Sequence, residues 1–176
     1  MKFLLGTAFA ALILTLIIAQ GASDNMSIKN LEVKLGFSQF PAVYTCDGRD
    51  GSPKIELSGL NATSIAMILE DPDAPSGTFT HWVIWNIKPT EVISSGIPNT
   101  ANVTKPIEAV QGMNTGSEIG YMGPCPPPGK PHRYFLRVYG LDSMLNLEPG
   151  SNRTDLEKAM RGHIIQQGVA MATYGR

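Results

Sequence analysis

Two stretches carry most of the residues able to do chemistry. The first is Asp71-Pro72-Asp73-Ala74-Pro75, followed by the apolar run Thr80-His81-Trp82-Val83-Ile84-Trp85-Asn86. The second is Gly123-Pro124-Cys125-Pro126-Pro127-Pro128-Gly129-Lys130-Pro131-His132-Arg133-Tyr134, followed by Phe135-Leu136-Arg137-Val138-Tyr139. Each joins a proline-stiffened loop to a histidine at the start of an apolar strand. Proline fixes its own φ and pushes the residue before it toward extended backbone, so Asp71 and Ala74 are held in set directions. Two rigid polar loops, each feeding a strand, are what a small preformed pocket needs. Taken singly, each also reads as an ordinary proline-rich turn; the shared grammar favours a site.

Asp71 and Asp73 accept hydrogen bonds. His81 and His132 donate them, and near neutral pH each ring is neutral or cationic. A carboxylate on one imidazole nitrogen leaves the other N–H free for a cavity. Tyr134 adds a hydroxyl. Gly123 and the loop after it offer backbone N–H groups, although the prolines limit that supply. Phosphate, a phospholipid head group or a carboxylate fits such donors. Blander roles compete. Asp71 also suits a buttress for its turn, and Arg133 a partner for a carboxylate in the body of the fold. Trp82 and Trp85 suit the core, and His163 a packed or surface position. A hydrolase or metal enzyme is the third possibility, with His81, His132 and Asp71 as a metal triad or an acid–base set. Against it, the chain has no G-x-S-x-G nucleophile motif, and the absence of any C-x-x-C pair excludes a zinc finger.

The elements that position these residues are mostly strands. Ser64 to Glu70 is nearly continuous in apolar character, which reads as a central strand covered on both faces, and it delivers Asp71 at its end. Trp82–Trp85 and Phe135–Tyr139 read as two more strands pairing near it. Asn30 to Leu35 alternates with period two, a half-buried strand. Val43–Thr45 and Ile55–Leu57 read as short strands. Ile87 to Tyr121 is a long excursion of the kind that borders functional sites. Thr154-Asp155-Leu156-Glu157 reads as a capping box opening a helix through Leu156, Met160, Ile164 and Gln167, with Gly168 as its C-cap. Val169–Tyr174 then has strand character.

Length and composition bound the rest. The chain has 176 residues, enough for one domain, with 13 prolines and 18 glycines as in a turn-rich β fold. Its formal net charge is −1 with no basic run, so nucleic-acid binding has no electrostatic footing. Lys2 followed by an uncharged apolar run to Ala19 reads as a secretory leader over residues 1–21, cleaved before Ala22. The same run is long enough to serve instead as an N-terminal membrane anchor. Either way residues 28–176 form the folded domain outside the cytoplasm. Sequons at Asn25, Asn61, Asn102 and Asn152 fit that location. Cys46 and Cys125 are the only cysteines, and in an exported chain an even count suggests a bridge. It would close a loop of about 80 residues, worth roughly 3–5 kcal/mol in the chain-entropy model. Two buried thiols are the alternative.

In residues and order, Asp71-Pro72-Asp73-Ala74-Pro75, His81-Trp82-Val83 with Asn86, Gly123-Pro124-Cys125-Pro126-Pro127 and Pro131-His132-Arg133-Tyr134 resemble the phosphatidylethanolamine-binding protein family. The match is closest to its prokaryotic YbhB/YbcL, or Raf-kinase-inhibitor-like, branch and runs from about Leu31 to the C-terminus. The resemblance implies a mainly β sandwich: a large antiparallel sheet, a smaller sheet, and one or two peripheral helices. It carries over an anion pocket made of Asp71, Ala74, Pro75, His81, Gly123, Pro126, His132 and Tyr134. It implies a binding protein with no catalysis and no cofactor, or alternatively a serine protease inhibitor working through a protein surface, and it allows a homodimer. The short loop Ser76 to Thr80 lacks the tyrosine that eukaryotic members place there, so head-group preference does not transfer.

Overall fold

A computed structural model describes residues 28–176. The expected leader and the Asn25 sequon lie outside the described residues; among those described, no helix is long and apolar enough to cross a membrane.

The centre of the molecule is β4, Ser64–Asp71, buried at all eight positions. Period two divides its side chains between two cores. Ile65, Met67 and Leu69 enter the main core, while Ala66 and Ile68 enter a second. The antiparallel neighbours, β5 (Phe79–Ile87) and β9 (His132–Leu141), repeat the division. Trp82 and Ile84 of β5 face the main core, and Val83 and Trp85 the second. The continuous apolar runs therefore mark strands covered on both faces, as read from the sequence, and the three strands are adjacent.

A seven-stranded sheet extends from this trio in the order β1-β10-β9-β4-β5-β8-β7. Its outer members are β1 (Lys29–Asn30), β7 (Asn102–Val103), β8 (Ala109–Gln111) and β10 (Ile164–Tyr174). All its pairings are antiparallel except β1 with β10, so the large sheet is mixed. A three-stranded sheet of β2 (Glu32–Lys34), β3 (Ile55–Ser58) and β6 (Val92–Ile93) closes the main core with Ile55, Leu57 and Ile93. The alternating segment read as one strand is two: it breaks at buried Leu31, whose N–H bonds the Gln167 carbonyl as the chain passes from one sheet to the other.

The second core is roofed by α1, Arg153–Ala159, through Leu156 and Met160. Two helix expectations need correction. Asn152, not Thr154, caps the helix, its Oδ1 accepting from the Asp155 N–H at 3.1 Å. The helix also stops at Ala159 and does not reach Gln167. A turn holding Gly162 at φ 80 reverses the chain, and Ile164 onward is β10. Tertiary pairing wins there. β10 lies in register with β9 along nearly its full length, and buried Gln166 donates to the Gly59 carbonyl while accepting from the Asn61 N–H. Gly168 is therefore no C-cap; it lies in β10 where a Cβ would run into the Leu31 carbonyl oxygen. Val43–Thr45, read as a short strand, falls instead on a single 3₁₀ turn, Ala42–Tyr44, closed by the Tyr44 N–H on the Pro41 carbonyl.

Candidate functional site

β4 ends at Asp71, which is 3% exposed. Its Oδ1 accepts from the Asp73 N–H at 2.8 Å, so the carboxylate fastens the turn it begins. Its Oδ2 lies 2.8 Å from Nδ1 of His132, the first residue of β9. Asp71 thus buttresses its own turn and also holds the His132 ring. Asp73 turns away to Arg133, accepting from that residue's N–H at 2.9 Å and from its guanidinium at 2.9 and 2.7 Å. Those bonds hold the Asp73 carboxyl well below the usual carboxylate range. The pair clips the first loop to the start of β9.

His81 stands on β5 beside these groups, 5% exposed. Its Nδ1 is 2.8 Å from the Met122 carbonyl oxygen. Burial pushes its pKa down, opposed by the Met122 bond and by the Asp71 and Asp50 charges. The edge of the Tyr134 ring meets it at a centroid distance of 5.3 Å. Tyr134 is fully buried, and its hydroxyl, near the Asp71 carboxylate, makes no well-formed hydrogen bond among the described residues. Burial, then the nearby Asp71 carboxylate, raises its phenol above the ordinary tyrosine value, so the hydroxyl keeps its proton.

These groups surround one cavity of about 290 Å³. Asp71, His81, His132 and Tyr134 supply its polar groups, and Ala74, Pro75, Gly123 and Pro126 line it too. All eight residues carried over from the resemblance therefore meet in one place. A larger hollow over Arg137, Tyr139 and Val169, on the outer face of the large sheet, holds none of the imidazoles.

The second loop reaches the cavity through the Cys46–Cys125 disulfide, Cα atoms 5.4 Å apart, and the Cys46 N–H on the Pro124 carbonyl. The bridge expected from the cysteine count is present, and Cys125 forms part of the wall. The role of Gly123 is corrected. Its N–H is not free for a ligand; it donates to Asp50 Oδ1 at 2.7 Å. The residue is glycine because a Cβ would run into Asp50 and the Tyr44 carbonyl.

Four wall residues were not foreseen: Phe79, Met122, Cys125 and Pro127. Phe79 had a signal. It sits two residues before His81 on one strand, hence on the same face, and its ring lies 4.7 Å from the imidazole. Trp82 belongs to the core, its indole N–H donating to Gln111 Oε1 at 2.7 Å. His163 lies away from the cavity. It pairs with Asp142, just past the far end of β9, at 2.8 Å. The ten-residue strand puts it about 30 Å from His132. Among the described residues no three His, Cys, Asp or Glu side chains are grouped to hold a metal ion, so the supposed triad of His81, His132 and Asp71 does not form as a ligand set.

The family model described as phosphatidylethanolamine-binding protein matches residues 33–175. A UPF0098 protein of Pyrococcus horikoshii is 49% identical over 160 residues, spanning 89% of this chain and 80% of that protein. One from Pyrococcus abyssi is 53% identical over 139 residues, spanning 77% and 78%. A crystal structure described as a putative phosphatidylethanolamine-binding protein homolog from Chlamydia trachomatis superposes with a TM-score of 0.73 at 36% identity, covering 85% of this chain and 98% of that one. E. coli YbcL, described as a new member of the mammalian PEBP family, superposes at 0.75 with 25% identity, covering 83% and 98%.

Proposed function

The chain belongs to the phosphatidylethanolamine-binding protein family, and we propose that it is an exported binding protein that holds a small oxyanion, phosphate or a phosphorylated head group, without doing chemistry on it. One observation carries the reading: two imidazoles, one of them fixed by the Asp71 carboxylate, converge on a single cavity. The polar groups gather at Asp71, His81, His132 and Tyr134, while Ala74, Pro75, Phe79, Met122, Pro126 and Pro127 leave an apolar surround. That division suits an anionic head carried on an apolar or neutral body. The prolines give the wall few N–H groups, so the side chains do the binding.

Export is supported by the leader-like residues 3–19 and by the disulfide, which persists most readily in an oxidising compartment. N-terminal sequencing of protein recovered outside the cytoplasm is expected to start at Ala22; full-length chain found only inside the cell overturns export.

Ligand binding is read by thermal shift. Phosphate at ten times its dissociation constant adds about 1.4 kcal/mol, or about 3–5 °C in Tm for a domain of this size. His132→Ala is expected to lose that rise, because it removes an imidazole and leaves Asp71 Oδ2 unpaired. If phosphate, phosphoethanolamine and acetate all leave the wild-type Tm unmoved at millimolar levels, the oxyanion reading is wrong.

A further inference from the structure

We infer, building on the oxyanion-binding reading, that this cavity takes its ligand in a form that still carries a hydroxyl proton. Hydrogenphosphate or a singly ionised phosphomonoester fits; sulfate or a phosphodiester, with no proton to give, fits poorly.

The reason is the tautomer of His81. The Met122 carbonyl only accepts hydrogen bonds, so the imidazole nitrogen 2.8 Å from it, Nδ1, carries the hydrogen. In the neutral ring Nε2 is then a bare lone pair. Nε2 has no hydrogen-bond partner among the described residues and, unlike the Tyr134 hydroxyl, is not sealed from solvent. A second proton on this ring is opposed by its burial among Phe79, Tyr134 and the proline loop. The charged or titratable groups facing it are Asp71 at the end of β4, Asp50 behind Gly123, Tyr134 of β9 and His132 across the cavity. The two carboxylates favour a cationic ring, yet burial outweighs them and the pKa stays below the ordinary histidine value.

An oxyanion entering this cavity therefore meets an acceptor in His81 Nε2. His132 is held at Nδ1 by Asp71. His81 Nε2 accepts, and only a ligand with its own O–H satisfies it. Sulfate places a lone pair against that lone pair. It binds only after His81 takes one proton from solvent, which turns Nε2 into a donor. The mismatch of one buried polar contact is worth about tenfold or more in affinity.

Calorimetric titration of the full-length oxidised protein with inorganic phosphate and with sulfate tests this, since the two anions are nearly equal in size and shape. Near neutral pH, phosphate is expected to bind at least about tenfold more tightly. Sulfate binding is expected to consume about one proton more than phosphate binding, read from the heats in buffers of different ionisation enthalpy. Its affinity should rise as pH falls toward about 5.5, narrowing the gap. Equal affinities from about pH 5.5 to 8, with no proton uptake by sulfate, overturn the inference while leaving oxyanion binding standing. Failure of both anions to bind overturns the oxyanion reading and the inference with it. His81→Gln places an amide N–H₂ near the Nε2 position and is expected to abolish the preference for phosphate. A His81→Gln protein that folds, binds both anions and keeps the preference overturns the assignment to His81. The wild-type comparison decides the matter should that variant not fold.

Discussion

Asp71→Ala is expected to eliminate the phosphate-induced rise in Tm and to lower the stability of the free protein by about 2–3 kcal/mol. Asp71 closes its own turn on the Asp73 N–H and fixes His132 through Nδ1, from a position 3% exposed to solvent. Alanine leaves both donors without an acceptor in a crowded corner of the sheet. Simple charge counting predicts the opposite for binding, because removing a carboxylate from the wall of an anion site ought to tighten it. Positioning and charge thus disagree in sign, and the experiment separates them. The charge term applies at full strength only if His132 keeps its orientation without its partner, and among the described residues nothing else bonds that ring. Urea denaturation gives the stability change, and a phosphate titration by thermal shift gives the binding change. Phosphate binding at wild-type strength or better would show that Asp71 opposes the ligand and positions nothing.

The second large effect comes from the disulfide. The double variant Cys46→Ser, Cys125→Ser is expected to lose about 3–5 kcal/mol, since the bridge spans 79 residues of sequence. That corresponds to a fall in Tm of about 10–15 °C for a domain of this size. The bridge holds the Cys46 turn against Pro124, and Cys125 itself lines the cavity. Phosphate binding should therefore weaken along with stability, yet not vanish, because Asp50 still holds the Gly123 N–H and the imidazoles keep their own partners. Calorimetric scans of wild type and variant measure the first effect. A Tm within about 2 °C of wild type would mean that the unfolded chain gains almost nothing from the lost cross-link.

What was legible in the sequence is what local grammar controls. The apolar run Ser64 to Glu70 marked β4 and placed Asp71 at its end, since eight residues buried on both faces leave no other reading. The histidines at the strand starts and the prolines beside them marked the walls, and the resemblance supplied Tyr134 and Gly123. What stayed hidden depends on partners far along the chain. Nothing near Gly123 reveals that its N–H belongs to Asp50, 73 residues away. Nothing near Ile164 shows that pairing with β9 outweighs a helical pattern that had run correctly through Leu156 and Met160. The capping box failed for a nearer reason. Asn152 stands two residues earlier and offers an equally good acceptor, so the helix starts there and Thr154 falls inside it. The tautomer of His81 was out of reach until the Met122 carbonyl was located.

The most direct test of the account uses the three histidines of the chain. Imidazole NMR signals of His81, His132 and His163 are followed during a phosphate titration at constant pH and ionic strength. His81 and His132 are expected to shift together along one saturable curve, while His163, paired with Asp142 beyond the far end of β9, stays still. Movement of His163 alone, or three flat traces at millimolar phosphate, would contradict it.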